Sequence, residues 1–297
     1  MNAGAPAQSP PGGTVAAGSR GLKPGLVTAA LLLPLVVFLG GAFVLPMVRL
    51  VALSLSAPGG MAEPYLEIAR SPVFRQVFLN TVTLSLLVAV YAVILAYPTA
   101  YMLTRLTGWK QSLALWCVLF PLWISILVRT FSWVLLLESN GPVNRALVAA
   151  GIVERPVSFL FNTAGVQIGM VHVLLPYALL PIATAMRSTD ERLLLASDSL
   201  GAAPLTTFRR IYLPLTLPGV AAGFTLVFLL GIGFFITPAI LGGPGNMTVA
   251  MLIDQFVTER LVWPLAAAAS VWLLAVIVLL LAVASRFVSI ARVVTAR

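Results

Sequence analysis

Residues 187–217 read RSTDERLLLASDSLGAAPLTTFRRIYLPLTL, a polar interlude between long apolar runs. Ser188 and Glu191 have the spacing of a capping box, which predicts a helix from about Thr189. Leu193, Leu194, Ala196 and Leu200 give it an apolar stripe at helical period. Gly201 ends it, because glycine accepts the left-handed backbone of a helix C-terminus. Pro204 suits the first position of a second short helix over 206–212, with Arg209 and Arg210 exposed. Pro214 and Pro218 are expected to stop that helix and turn the chain back. The result is a helix–Gly–helix unit whose apolar face is too large for its own loop to bury. A lipid surface and a cleft in a partner protein both answer that need.

Around this loop the chain is mostly apolar. Of 297 residues, 60% are hydrophobic, against 18 Lys+Arg and 9 Asp+Glu. Soluble domains carry charge on about a quarter of their residues, so a water-soluble globule is excluded. A single cysteine, Cys117, rules out a disulfide scaffold. One Cys and one His (His172) make no common metal ligand set, so no metal is expected. Six runs approach the roughly 20 residues a bilayer requires: 26–48, 77–103, 112–137, 164–186, 218–241 and 263–285. These predict an all-α membrane protein with six transmembrane helices. The first run is too long for the apolar region of a signal peptide and reads as an uncleaved anchor.

Charge gives the orientation. With both termini cytoplasmic, eleven basic residues fall inside, six fall outside, and Arg129 lies within a span. That bias follows the positive-inside rule, so the net charge of +9 reports topology rather than nucleic-acid binding. Residues 1–24, rich in Ala, Gly, Pro and Ser, read as a disordered cytoplasmic tail. Residues 25–290 form the transmembrane domain, and 291–297 a second tail.

Gly201, nine residues, then Ile211-Tyr212-Leu213-Pro214 resembles the signature loop of permease subunits of bacterial ABC importers. The family pattern is Glu-Ala-Ala, three residues, Gly, nine residues, Ile-x-Leu-Pro. Here Leu195, Ala196 and Ser197 stand where Glu-Ala-Ala is usual. Further segments are similar to the spermidine/putrescine-type permeases. They are Asn80-Thr81, Leu127-Val128-Arg129-Thr130-Phe131-Ser132-Trp133, Gly141-Pro142-Val143-Asn144, Phe235-Ile236-Thr237-Pro238 with Leu241-Gly242-Gly243, and Trp263-Pro264. The resemblance covers roughly residues 25–290 and implies a type I importer permease fold. It also implies that loop 187–217 docks on an ATPase through Leu195, Ala196, Ser197, Gly201, Ala202, Ile211, Leu213 and Pro214. Implied partners are a second permease subunit, two ATP-binding cassette subunits, a periplasmic solute-binding protein and the bilayer of the bacterial inner membrane. No cofactor is implied on this chain; ATP and Mg belong to the partner. The chain has no G-x-x-x-x-G-K-[ST] phosphate loop, so it is not expected to be an enzyme.

Candidate pathway residues follow from what a flexible polyamine cation needs, namely carboxylates and aromatic faces. Asp254 and Glu138 are the acidic candidates; Trp133, Tyr177, Phe224 and Phe228 are the aromatic ones. Arg129 would repel a polycation, so it reads as structural or gating, partnered by Glu138 or by a helix end. His172 reads as an interhelical hydrogen-bonding residue. An opine or aminoalkyl phosphonate is the alternative solute. An ion-coupled secondary transporter is disfavoured because no span has a carboxylate in its core. An intramembrane hydrolase is disfavoured by the lack of H-E-x-x-H and G-x-S-x-G. A scaffold using the loop for another partner is the third alternative.

Overall fold

The computed structural model describes residues 24–295, with side chains from 31 to 286. The tail expected over 1–24 therefore lies, apart from Pro24, outside the described residues, as do 296 and 297. The described residues are helical throughout, with short connections. In order they are α1 (Pro24–Ser54), α2 (Glu63–Arg70), α3 (Pro72–Arg105), α4 (Gly108–Leu119), α5 (Ile126–Leu137) and α6 (Pro142–Ala149). Then come α7 (Thr163–Arg187), α8 (Glu191–Ser199), α9 (Pro204–Thr207), α10 (Leu213–Ile232), α11 (Ile236–Leu241), α12 (Val249–Thr258) and α13 (Trp263–Thr295). Helix α13 thus continues past residue 290, the expected boundary. Two compact units are formed, one ending at Arg49 and one beginning at Leu50. In the first, the 31–49 stretch of α1 is an apolar helix with no buried residue.

In the second unit, α3, α7 and α10 pack together. Val88, Ala92, Ala96 and Ala100 recur every four residues on α3 and are fully buried. They meet Met170, Leu174, Ala178 and Ile182 of α7 and Val227 of α10 in one core. Small residues on a membrane helix let backbones approach. A second core joins Ile68 of α2, Phe74 and Val77 of α3, Leu252 and Phe256 of α12, and Ala268 of α13. There Trp272 stands edge-on to Phe74 and Phe78, with ring centroids 5.2 and 4.7 Å away.

Two expected spans are discontinuous. Among the described residues five helices are long and apolar enough to cross a bilayer; the third expected span is instead a pair, Gly108–Trp123 and Ile126–Ala149, bent by 101°. The helix tightens into a 3-10 turn at Phe120–Trp123, where Pro121 has no N–H to donate, and Ile124 is extended. The fifth run stops at Ile232 rather than 241, with Gly233 as its C-cap and α11 following as a separate short helix.

Segments that carried the resemblance meet across the fold. Thr130 and Thr237, both fully buried, share a hydroxyl hydrogen bond of 3.2 Å. Thr81 Oγ1 accepts from the Val249 N–H at 2.9 Å, and Asn80 donates to the Gly245 carbonyl at 3.0 Å. Asn144 ties the loop after α5. Its Nδ2 donates to the Glu138 and Val157 carbonyls, and its Oδ1 accepts from the Val157 N–H. Asn144→Ala leaves these groups without partners in a buried position, at a cost of about 2 kcal/mol. Limited proteolysis in detergent should then cut the 138–157 segment faster; an unchanged cleavage rate excludes the tie.

Candidate functional site

The 187–217 loop is a folded hairpin. Its first helix starts later than the capping-box spacing suggests. Asp190 is the N-cap, its carboxylate accepting from the Arg192 N–H at 2.9 Å. Ser188 instead closes the end of α7, donating to the Ala185 carbonyl. The reason is that α7 runs through Arg187, so Ser188 is still occupied by its last turn. Asp190 is also a good acceptor for a helix N-terminus.

The turn is as expected at Gly201. Its φ is +75°, and the bonds Ala202 N–H to Ser197 carbonyl (3.2 Å) and Gly201 N–H to Asp198 carbonyl (2.9 Å) make a complete Schellman motif. Pro204 opens α9 in its first turn. The second arm departs from expectation, because Pro214 and Pro218 do not stop it. A π turn at Phe208–Tyr212, closed by the Leu213 N–H on the Phe208 carbonyl, absorbs the break in the hydrogen-bond ladder and feeds directly into α10. Pro214 sits in the first turn of α10, where a missing N–H costs little.

Exposure divides the motif residues into two sets. Leu200 is 87% exposed, Leu195 64% and Leu205 67%, with Leu193 and Ala196 also open. Facing the other way, Ser197 is 6% exposed and its Oγ lies 2.8 Å from Thr207 Oγ1. Ile211, Leu213 and Pro214 are half-buried where the arm joins α10. The expected stripe of Leu193, Leu194, Ala196 and Leu200 therefore points mostly outward. Only Leu194 packs on the chain's own core.

Among the candidate pathway residues, the structure joins Trp133 to His172. The indole Nε1 donates to His172 Nδ1 at 3.1 Å, with the rings edge-to-face. Both line a largely apolar cavity of about 580 Å3 between α3, α5 and α7, with Tyr91, Gln167 and Leu175. Tyr177 lies further along α7, partly exposed. Phe224 and Phe228 stack on each other at 6.1 Å and pack against the helix core. Asp254 is exposed on α12, opposite the buried Leu252 and Phe256, and Glu138 is exposed at the C-cap of α5. Among the described residues no hydrogen bond brings either carboxylate to these aromatics.

Arg129 is not paired with Glu138 among the described residues, and its Nε and Nη1 are buried with no hydrogen-bond acceptor. It stands one residue before Thr130, whose bond to Thr237 holds α5 on α11. No sequence signal marks Thr207, Tyr91 or Gln167, and the sequence places Ser197 among the ATPase contacts, whereas Ser197 turns inward against Thr207. Only the i, i+3 placement of Ser197 after Leu194 on one helix face hinted that it turns inward.

The family described as binding-protein-dependent transport system inner membrane component matches residues 92–290. The chain belongs to this family. It is a transport permease, a multi-pass membrane-spanning subunit of an ABC importer of the inner membrane. The permease is 34% identical over 213 residues to the Escherichia coli K12 spermidine/putrescine transport system permease protein PotB, covering 71% of this chain and 77% of that protein. A Mycobacterium bovis molybdenum transport system permease protein, ModB, is 31% identical, over 63% of this chain and 69% of that one. A bacterial ABC transporter that imports the acidic polysaccharide alginate shares the fold. Its TM-score is 0.72 at 19% identity, covering 89% of the permease and 95% of the solved chain. These relatives differ in the solutes they are named for, so family membership fixes the transporter class rather than the cargo.

Proposed function

We propose that the permease forms half of the translocation pathway of an importer for polyamines such as spermidine and putrescine, or a related small organic solute. The pathway is completed by a second permease subunit. Two ATP-binding cassette subunits bind ATP and Mg and hydrolyse ATP below it, and a periplasmic binding protein delivers solute above. Both termini, the 1–24 and 291–297 tails and the 187–217 loop lie in the cytoplasm, around a transmembrane domain over 25–290. The observation that carries this reading is the hairpin tip. Leu193, Leu195, Leu200 and Leu205 project from a rigid, Schellman-capped turn, and an exposed apolar cluster of this kind marks an interaction site. The solute assignment rests on the relationship to the spermidine/putrescine permease.

One observation favours the second solute reading. The two buried Arg129 nitrogens without acceptors, Nε and Nη1, attract an anionic group in a low-dielectric setting, and the five long spanning helices carry no Asp or Glu. A solute with a carboxylate or phosphonate, such as an opine or aminoalkyl phosphonate, would supply the missing charge.

Co-purification tests the docking, and uptake tests the solute. Leu200→Asp places a charge on the docking tip and should strip the ATPase subunits from the complex, while the permease itself stays folded. Retention of ATPase at the wild-type ratio rejects the docking surface. Uptake of radiolabelled spermidine by vesicles, competed by putrescine but not by an aminoalkyl phosphonate, supports the polyamine reading; the reverse pattern supports the second.

A further inference from the structure

Docking accounts for the tip of the hairpin but not for how its motion reaches the membrane. The path is visible in the side chains that the tip does not use. Ser197 on α8 and Thr207 on α9 are both buried, and their hydroxyls are 2.8 Å apart. This is the only side-chain bond between the two arms among the described residues. A hydroxyl pair sealed from water is costly to open, because each group would lose its partner without gaining solvent.

Thr207 is followed at once by the π turn, which carries Phe208 and Tyr212. Tyr212 is buried and edge-on to Tyr101 of α3, with centroids 5.7 Å apart. Phe208 is edge-on to Tyr97 of α3 at 6.2 Å. Tyr97 Oη in turn bonds Thr216 Oγ1 on α10 at 3.0 Å. Four rings thus interleave two residues of the hairpin's second arm with two residues one turn apart on α3. Close-packed aromatic groups transmit displacement rather than absorb it. Tyr212 and Tyr97 belong to the core that holds α3, α7 and α10, and Tyr101 and Phe208 pack on them from its exposed rim.

We infer that Ser197, Thr207, Phe208 and Tyr212, with Tyr97 and Tyr101, are the positioning residues of energy coupling. The hydroxyl pair makes the two arms one lever, and the ring cluster fixes that lever to α3. This rests on the docking reading above. The latch stays closed through the cycle, so a displacement at Leu200 moves α3 and α10 together. It also gives Ser197 a purpose within the motif. The Leu195-Ala196-Ser197 triplet offers its first two residues outward and turns its third inward to hold the hairpin.

The test reads solute imported per ATP hydrolysed in the reconstituted complex, alongside ATPase co-purification. Thr207→Val removes one hydroxyl of the pair at nearly constant volume, and Tyr212→Leu removes the ring contact with Tyr101. Each should retain bound, hydrolysing ATPase while import per ATP falls about ten-fold. Wild-type import per ATP in both variants overturns the proposal. A second measurement holds if either variant assembles poorly. Ser197→Cys with Thr207→Cys, in a Cys117→Ser background, can be oxidised across a gap that the hydroxyls already bring to 2.8 Å. The oxidised complex should import at the rate of the reduced one. Import lost on oxidation and recovered on reduction shows that the arms must separate, which also overturns the proposal. Failure of the wild-type permease to bind any ATPase overturns the docking reading instead, and the lever falls with it.

Discussion

Gly201→Val is expected to abolish solute import and solute-stimulated ATP hydrolysis in the assembled transporter. The reason is conformational rather than steric. Gly201 sits at φ +75°, and a Cβ there would meet nothing within 4 Å. Valine is therefore refused by the backbone, not by a neighbour. A β-branched residue in the left-handed region costs of order 1–3 kcal/mol. That cost falls on a turn whose backbone is held by the Ala202–Ser197 and Gly201–Asp198 bonds. Leaving the left-handed region breaks both bonds and re-aims Leu200 and Leu205, the tip of the proposed docking surface. Asparagine tolerates the same region, so Gly201→Asn should retain most of the import. The pair separates backbone geometry from contact with the partner. Import and stimulated hydrolysis both surviving Gly201→Val would falsify the docking role of the hairpin.

The second large effect belongs inside the membrane. Gly223→Leu should prevent recovery of folded permease, read as loss of a monodisperse peak in detergent and of a cooperative melting transition. Helix α10 lies against α7 so closely that a Cβ at Gly223 would stand 2.8 Å from the Ala178 carbonyl oxygen. One turn earlier, a Cβ at Gly219 would meet Ala185 Cβ at 2.4 Å and the Pro181 carbonyl at 2.8 Å. The obstruction is mostly backbone, which cannot rotate away as a side-chain end can. Overpacking costs about 1–3 kcal/mol where the core can shift; here the two helices must part along their length. Gly219 and Gly223 are four apart, the spacing of small residues at close membrane helix crossings. A Gly233→Ala control, at an open position, should melt like the wild type. Gly223→Leu protein with wild-type yield and melting excludes the close approach as a folding requirement.

Much of this molecule can be read without coordinates, and the reasons are specific. Apolar runs of bilayer length require helices, since no other single segment satisfies its own backbone in lipid. Gly201 is legible because a left-handed turn after a helix has one preferred residue. Pro204 is legible because a first-turn position has no N–H to lose. Elsewhere the same rules mislead. Pro214 and Pro218 look like stops, yet the π turn before Pro214 lets the helix continue. Ser188 and Glu191 look like a capping box, yet α7 holds on to Ser188. The run over 112–137 looks like one span, yet it bends by 101° after a 3-10 turn. In each case the state of the adjoining backbone, rather than the residue type, decides the outcome.

The candidate site divides in the same manner. Sequence alone determined the membrane class, the all-helical fold, the helix–Gly–helix loop and the residues at its tip, because each depends on composition or on short-range backbone chemistry. Only the tertiary structure decided which of those residues face out. Leu200 and Ser197 are three positions apart, yet one is 87% exposed and the other 6%, a difference that packing against α9 decides. The meeting of Trp133 with His172, of Thr130 with Thr237, and of Phe208 and Tyr212 with Tyr97 and Tyr101 joins residues from 39 to 111 positions apart. Those contacts exist because α3, α5, α7 and α10 cross at particular depths and rotations. Such rotations are set by small-residue packing between helices rather than by any one segment's own pattern.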